Sequence, residues 1–144
     1  MADSAHSTSF HPVELVVRVL VVVGLAVDAY IHLHLASRYQ LAQPSGIGQG
    51  NLFRIEAVVA IVVGLYLLVR GSRPAYLLAV LTGLGGAALV VLYRYVDVAA
   101  IGPIPSMYEP LWFGEKTLSL VAEAAAGVLA LIGLALPRRR HTHS

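Results

Sequence analysis

The sequence predicts an all-α membrane protein, folded as an antiparallel bundle of four transmembrane helices. Three observations predict it. The chain contains four apolar runs, each near the ~20 residues that one crossing of a bilayer requires. Its composition is 58% hydrophobic and only 12% charged, where a soluble domain is ~45–50% apolar and ~25% charged. The links between the runs are rich in Gly, Pro and polar residues. The mean hydropathy of +0.76 agrees. In hydrocarbon an irregular backbone leaves its N–H and C=O groups unpaired, so apolar runs of this length are helices.

Composition also excludes function classes. The chain has no cysteine, which removes disulfides, thiol nucleophiles and iron–sulfur ligation. The net charge is +2, and no basic helix is interleaved with aromatics, so nucleic acid is not an expected partner. The polar start of the chain lacks a basic n-region, and no small-residue cleavage site follows the first run. That run is expected to be a retained anchor.

In chain order, residues 1–12 are expected to be a disordered cytoplasmic N-terminus. Pro12 occupies a first-turn position, and the first helix is expected over about 13–36. Glu14 and Arg18 lie four apart on it and can pair on one face. Residues 37–51 alternate Gly46, Gly48 and Gly50 among Ser and Gln and read as a flexible link, with Asn51 as N-cap of the next helix. The second helix is expected over about 52–70. Its Ala60 and Gly64 form a small-xxx-small pair that admits a close neighbour. Gly71-Ser72-Arg73-Pro74 is a tight turn, with Gly ending one helix and Pro opening the next. So short a link predicts that the second and third helices are antiparallel neighbours. The third helix, about 75–96, carries the pairs Thr82/Gly86 and Gly83/Ala87. Residues 98–116 hold Pro103, Pro105 and Pro110, which forbid a continuous helix. With Tyr108, Trp112 and Phe113 this segment suits a lid lying at the headgroups. The fourth helix is expected over about 117–136, followed by a basic cytoplasmic tail, 137–144.

Basic residues predict orientation. Arg18, Arg70, Arg73, Arg138, Arg139 and Arg140 fall on one side, and Arg38, Arg54, Arg94 and Lys116 on the other. Basic side chains favour the cytoplasm, which places both termini and the 70–74 turn inside a bacterial cell membrane and the two long links outside.

Ionisable residues at membrane depth are costly and mark function by default. Asp28 and His32 share a face of the first helix, four residues apart. Glu56, Arg54, Arg94 and Glu123 lie within about two turns of the same end of the other helices. Lys116, Ser119 and Glu123 make a stripe on the fourth helix, continued by Gly127. His34, two residues from His32, points elsewhere. The expectation is one polar pocket in the outer half, to which every helix contributes a charged group. Asp28, His32, Arg54, Glu56, Arg94 and Glu123 are its ligand-binding or proton-relay candidates.

Four functional readings follow. The pocket binds a small ligand, a lipid or a quinone-like molecule beneath the aromatic lid. Or Asp28, His32, Glu56 and Glu123 hold a metal, although no HxxxH or ExxH spacing supports one. Or the Asp/His/Glu cluster transfers protons in a small membrane enzyme or redox subunit. Or the charges face another membrane protein. The only histidines at membrane depth share one helix, which argues against bis-histidine haem within one chain. The alternative network, in which Arg54 or Arg94 pairs with Glu56 or Glu123, only pins the bundle.

The stretch Leu52–Val91, with its Leu-Phe-Arg-Ile-Glu-Ala start and its basic turn Val-Arg-Gly-Ser-Arg-Pro-Ala-Tyr-Leu-Leu, resembles the second and third helices of the DoxX-like group of small bacterial four-helix membrane proteins. The resemblance implies a four-helix bundle and assigns no residue a role.

Overall fold

The computed structural model describes residues 12–42 and 47–138, with side chains for 12–39 and 47–138. The expected disordered N-terminus, Gly46 of the first link, and tail residues Arg139 and Arg140 lie outside the described residues. The chain forms α1 (Pro12–Ala42), α2 (Gln49–Arg70), α3 (Arg73–Tyr95) and α4 (Gly114–Ala135). All four are long and apolar enough to cross a bilayer. This is a multi-pass integral membrane protein built as a four-helix bundle.

The helices extend beyond their apolar stretches. α1 continues through Ser37, Arg38 and Tyr39 to Ala42, six residues past the expected limit. Polarity ends a membrane span, but it does not end a helix, and nothing before Pro44 breaks this one. α2 starts at Gln49 with Gly48 as its N-cap at φ 77°. Asn51 therefore lies inside the first turn, where its amide donates to the Ile47 carbonyl at 2.8 Å, and it is not the cap. Gly71 caps α2 in the left-handed conformation, φ 56°, as the tight turn requires. α4 begins at Gly114, which places Glu115 in its first turn, favourably for the helix dipole.

α1 packs against α2 and α4, and α3 packs against α4. The α2–α3 seam is the sparsest of the four, although these helices have the shortest link. They are antiparallel, as expected, but diverge from their turn. The α3–α4 seam is made by glycines. A Cβ on Gly83 would sit 2.6 Å from the Gly127 nitrogen, and one on Gly127 would sit 2.6 Å from the Leu84 side chain. Ala60, Val63 and Leu67 of α2 are buried with Val21 and Leu25 of α1. The outward faces carry Val, Leu and Ile, exposed as a lipid-facing surface requires.

A polar clasp closes the end of the bundle at the 71–73 turn. Arg18 donates to both Glu14 carboxylate oxygens at 2.9 Å and to the Leu68 carbonyl at 3.2 Å. The buried Tyr76 hydroxyl donates to Glu14 at 2.8 Å, and Arg138 donates to the Gly71 carbonyl. Arg18 thus binds its expected partner and joins α1 to α2.

Gly83→Ala forces α3 and α4 apart. Its expected outcome is a lower thermal midpoint in detergent, by about the 1–3 kcal/mol of overpacking. Gly85→Ala meets nothing within 4 Å and should leave the midpoint unchanged or raise it; circular dichroism melts of both variants check this. Tyr76→Phe removes one hydrogen bond of the clasp, and chemical unfolding should register a loss of about 1 kcal/mol.

Candidate functional site

At the opposite end, three helices bring their ionisable groups together. Asp28 and His32 come from one face of α1, Glu56 from the second turn of α2, and Ser119 and Glu123 from one face of α4. Asp28 and Glu123 are fully buried in the bundle. The His32 Nδ1 lies 2.9 Å from the Asp28 carbonyl oxygen one turn back and 2.9 Å from Asp28 Oδ1. Both are acceptors, so the geometry assigns a proton to Nδ1. That Nε2 lies 3.8 Å from Glu123 Oε1. The Ser119 hydroxyl lies 3.2 Å from Asp28 Oδ1 and 3.4 Å from Glu123 Oε1. The Glu56 carboxyl lies against that of Asp28.

The expected cations are elsewhere. Arg54 is exposed and donates to Asn51 Oδ1 at 2.8 Å. It is two residues from Glu56, so it leaves α2 on nearly the opposite side. Arg94 is held by aromatic rings, 4.8 Å over Tyr95 and 5.5 Å over Trp112. Lys116 reaches up to the Glu109 and Leu111 carbonyls at 2.6 and 3.1 Å. Among the described residues, no lysine or arginine forms an ion pair with the cluster. The pairing of Arg54 or Arg94 with Glu56 or Glu123 is therefore not formed. α3 brings no charged group to the site. It contributes Gly86, where a Cβ would lie 2.9 Å from the Glu123 carboxyl carbon. Gly86 makes the notch in which that carboxylate lies, in addition to permitting a close helix contact.

Above the cluster is a chamber of about 420 Å³, at the loosely packed α2–α3 seam. Its floor is His32, Glu56, Ser119 and Glu123, and its walls include Leu52, Phe53, Leu89, Val90 and Tyr93. Phe53 stands edge-on to His32 at 5.1 Å and against Tyr39 at 4.8 Å. The second long link covers the chamber with Ile104, Met107 and Phe113. It is fastened by the Glu109 N–H to the Tyr93 carbonyl at 2.9 Å, by the Tyr39 hydroxyl to the Glu109 carboxylate, and by Lys116. The expected lid is present as a cover over this end of the bundle. His34 is exposed and stacks on Tyr30 at 6.0 Å, away from the cluster.

Sequence reasoning missed Tyr39 and Glu109 as lid fasteners, because α1 was expected to end before Tyr39. It also gave Gly86 only a packing role. Chemically, the arrangement joins three carboxylates, a hydroxyl and an imidazole beneath an apolar chamber. It offers oxygen and nitrogen donor atoms, and among the described residues His32 is the one basic group within it. No family model, curated protein or solved structure matches this chain, so the geometry alone carries the functional argument.

Proposed function

We propose that this integral membrane protein binds a small amphipathic ligand, such as a lipid or a quinone-like molecule, in the chamber beneath the second link. The apolar body lies against Phe53, Leu89 and Val90, and the polar head meets His32, Glu56 and Glu123. One observation carries the reading: a chamber of about 420 Å³ opens at the sparsest helix seam and has the buried acids as its floor. Pockets for small molecules are typically ~300–1,000 Å³, mostly apolar, with a few convergent polar groups. The α2–α3 gap gives a ligand dissolved in the bilayer a lateral route to the floor. In this reading the protein resides in a bacterial cell membrane. Arg70, Arg73 and the C-terminal arginines hold the clasp end in the cytoplasm, so the chamber opens in the outer half.

A second reading, proton transfer in a membrane enzyme or redox subunit, is favoured by a different observation. The His32 ring stands between two carboxylates, 2.9 Å from Asp28 and 3.8 Å from Glu123. A ring that takes a proton on one nitrogen and releases one from the other can relay it. Reconstituted vesicles with an internal pH dye separate the two readings, since only the relay makes proton flux sensitive to His32→Gln.

Native mass spectrometry of the protein released from nanodiscs is expected to show one bound amphiphile per chain. Val90→Trp fills the chamber and should abolish the adduct without unfolding the bundle. A parent protein that emerges bare refutes the pocket. Glu123→Gln removes a buried carboxyl while keeping its shape. The expected result in chelator-containing buffer is an unchanged or higher thermal midpoint with loss of the adduct. A large drop in midpoint would mark Glu123 as structural instead.

A further inference from the structure

We infer that Asp28, His32 and Glu123, with Glu56 beside them, form a binding site for one first-row divalent transition-metal ion. The inference rests on the reading of this cluster as a ligand site and names what its floor holds. One ligand atom from each of Asp28, His32 and Glu123 lies within 4.8 Å of the others.

The bonding within the cluster leaves the right atoms free. Asp28 Oδ1 is engaged by the His32 ring and by the Ser119 hydroxyl, while its Oδ2 is buried and has no partner. Glu123 Oε2 and Glu56 Oε1 are likewise buried and unpartnered. Asp28 and Glu123 are fully buried in the bundle. An unmade hydrogen bond at a buried polar atom is a substantial cost, greater for charged groups. Asp28 and Glu123, which carry two of these oxygens, also belong to the trio whose ligand atoms lie within 4.8 Å of one another, and a shared cation would satisfy both.

The imidazole is prepared for the same role. Histidines that bind metals almost always give their other N–H to a carbonyl or carboxylate, which fixes tautomer and ring orientation. His32 Nδ1 has both kinds of acceptor, the Asp28 carbonyl and carboxylate oxygens, at 2.9 Å. This leaves Nε2 facing Glu123 Oε1 across 3.8 Å. Ligands at about 2.0–2.2 Å from a shared ion stand roughly 3–3.5 Å apart, so a small side-chain rotation closes the gap. The Gly86 notch holds the Glu123 carboxylate in place.

The donor set selects the ion class. Calcium and magnesium take oxygen ligands, whereas one imidazole with two or three carboxylates suits manganese, iron or zinc. A divalent ion would also balance carboxylates that, among the described residues, no arginine or lysine pairs with. Coordination positions not filled by the protein face the chamber, where the polar head of a bound amphiphile can complete them.

The test uses full-length protein in detergent, stripped with chelator and then equilibrated with Mn²⁺, Co²⁺ or Zn²⁺. His6, His11, His34, His141 and His143 are replaced by Gln, so that only one imidazole remains. Elemental analysis is expected to find one ion per chain. Cobalt is expected to give a ligand-field absorption band, and equimolar Mg²⁺ or Ca²⁺ should not displace it. His32→Gln and Asp28→Asn should weaken binding tenfold or more, while a change at the exposed Asp97, Asp97→Asn, should not. Metal should raise the thermal midpoint of the parent but not of His32→Gln, which keeps the test valid if Asp28→Asn fails to fold. A parent that binds no ion, or a His32→Gln chain that binds as well as the parent, overturns the site. An amphiphile retained by a chain that binds no metal overturns the metal site and leaves the chamber standing. Metal bound without any amphiphile supports the metal site and removes the chamber's proposed ligand.

Discussion

The rest of this structure depends on a cluster of buried carboxyl groups. Asp28, Glu56 and Glu123 meet inside an apolar bundle with one imidazole and one hydroxyl, and among the described residues no arginine or lysine is paired with them. A charged group at membrane depth is costly by about 2.5–3.5 kcal/mol even on the more lenient insertion scales. The fold therefore has to shield these groups from lipid and supply hydrogen bonds to part of them. The oxygens left without a partner mark where the protein's own atoms stop satisfying the site.

The two ends of the bundle handle charge in opposite ways. At the clasp, Glu14 is matched by Arg18 and Tyr76, and Arg138 answers the carbonyl of the helix-capping Gly71. The acid there is met by an arginine and a tyrosine of the protein, and the ensemble locks α1, α2 and α3 near the turn. At the other end Arg54, Arg94 and Lys116 are all within the same outer region, yet each is bound to a neighbouring side chain, ring or loop carbonyl. Their cationic heads serve the helix start and the lid. This division leaves the acids without a basic partner among the described residues.

Packing decides where the chamber lies. The glycine-lined α3–α4 seam and the alanine-rich α1–α2 seam allow close approach, with Gly83 and Gly127 nearly in backbone contact. The α2–α3 seam lacks such a match and opens toward the lid. Close packing on three seams and a gap on the fourth let one small bundle be both rigid and accessible. The link after α3 then covers the gap from above, fastened through Glu109 and Lys116.

Much of this was legible in the sequence, for identifiable reasons. Hydropathy is a local property, so four spans follow from Val13–Ala36 and its three successors without any knowledge of contacts. Helical spacing is local too, which is why Asp28 with His32, Ser119 with Glu123, and Glu14 with Arg18 were paired correctly, and why His34 was set apart. Helix ends were less legible: α1 runs on through Tyr39 because a polar residue leaves the membrane without leaving the helix. What only the tertiary structure decided is which charges meet. The direction of Arg54, turned away from Glu56 by two residues of helix, matters only once α2 is rotated against α1. The capture of Arg94 by Trp112 needs a loop folded back from eighteen residues later in the chain. Gly86 becomes a seat for Glu123 only when α3 and α4 touch. Residue order fixes each helix face, but the rotation of one face against another is set by side chains packing across the seams, and that rotation is what makes a cluster of acids into a site.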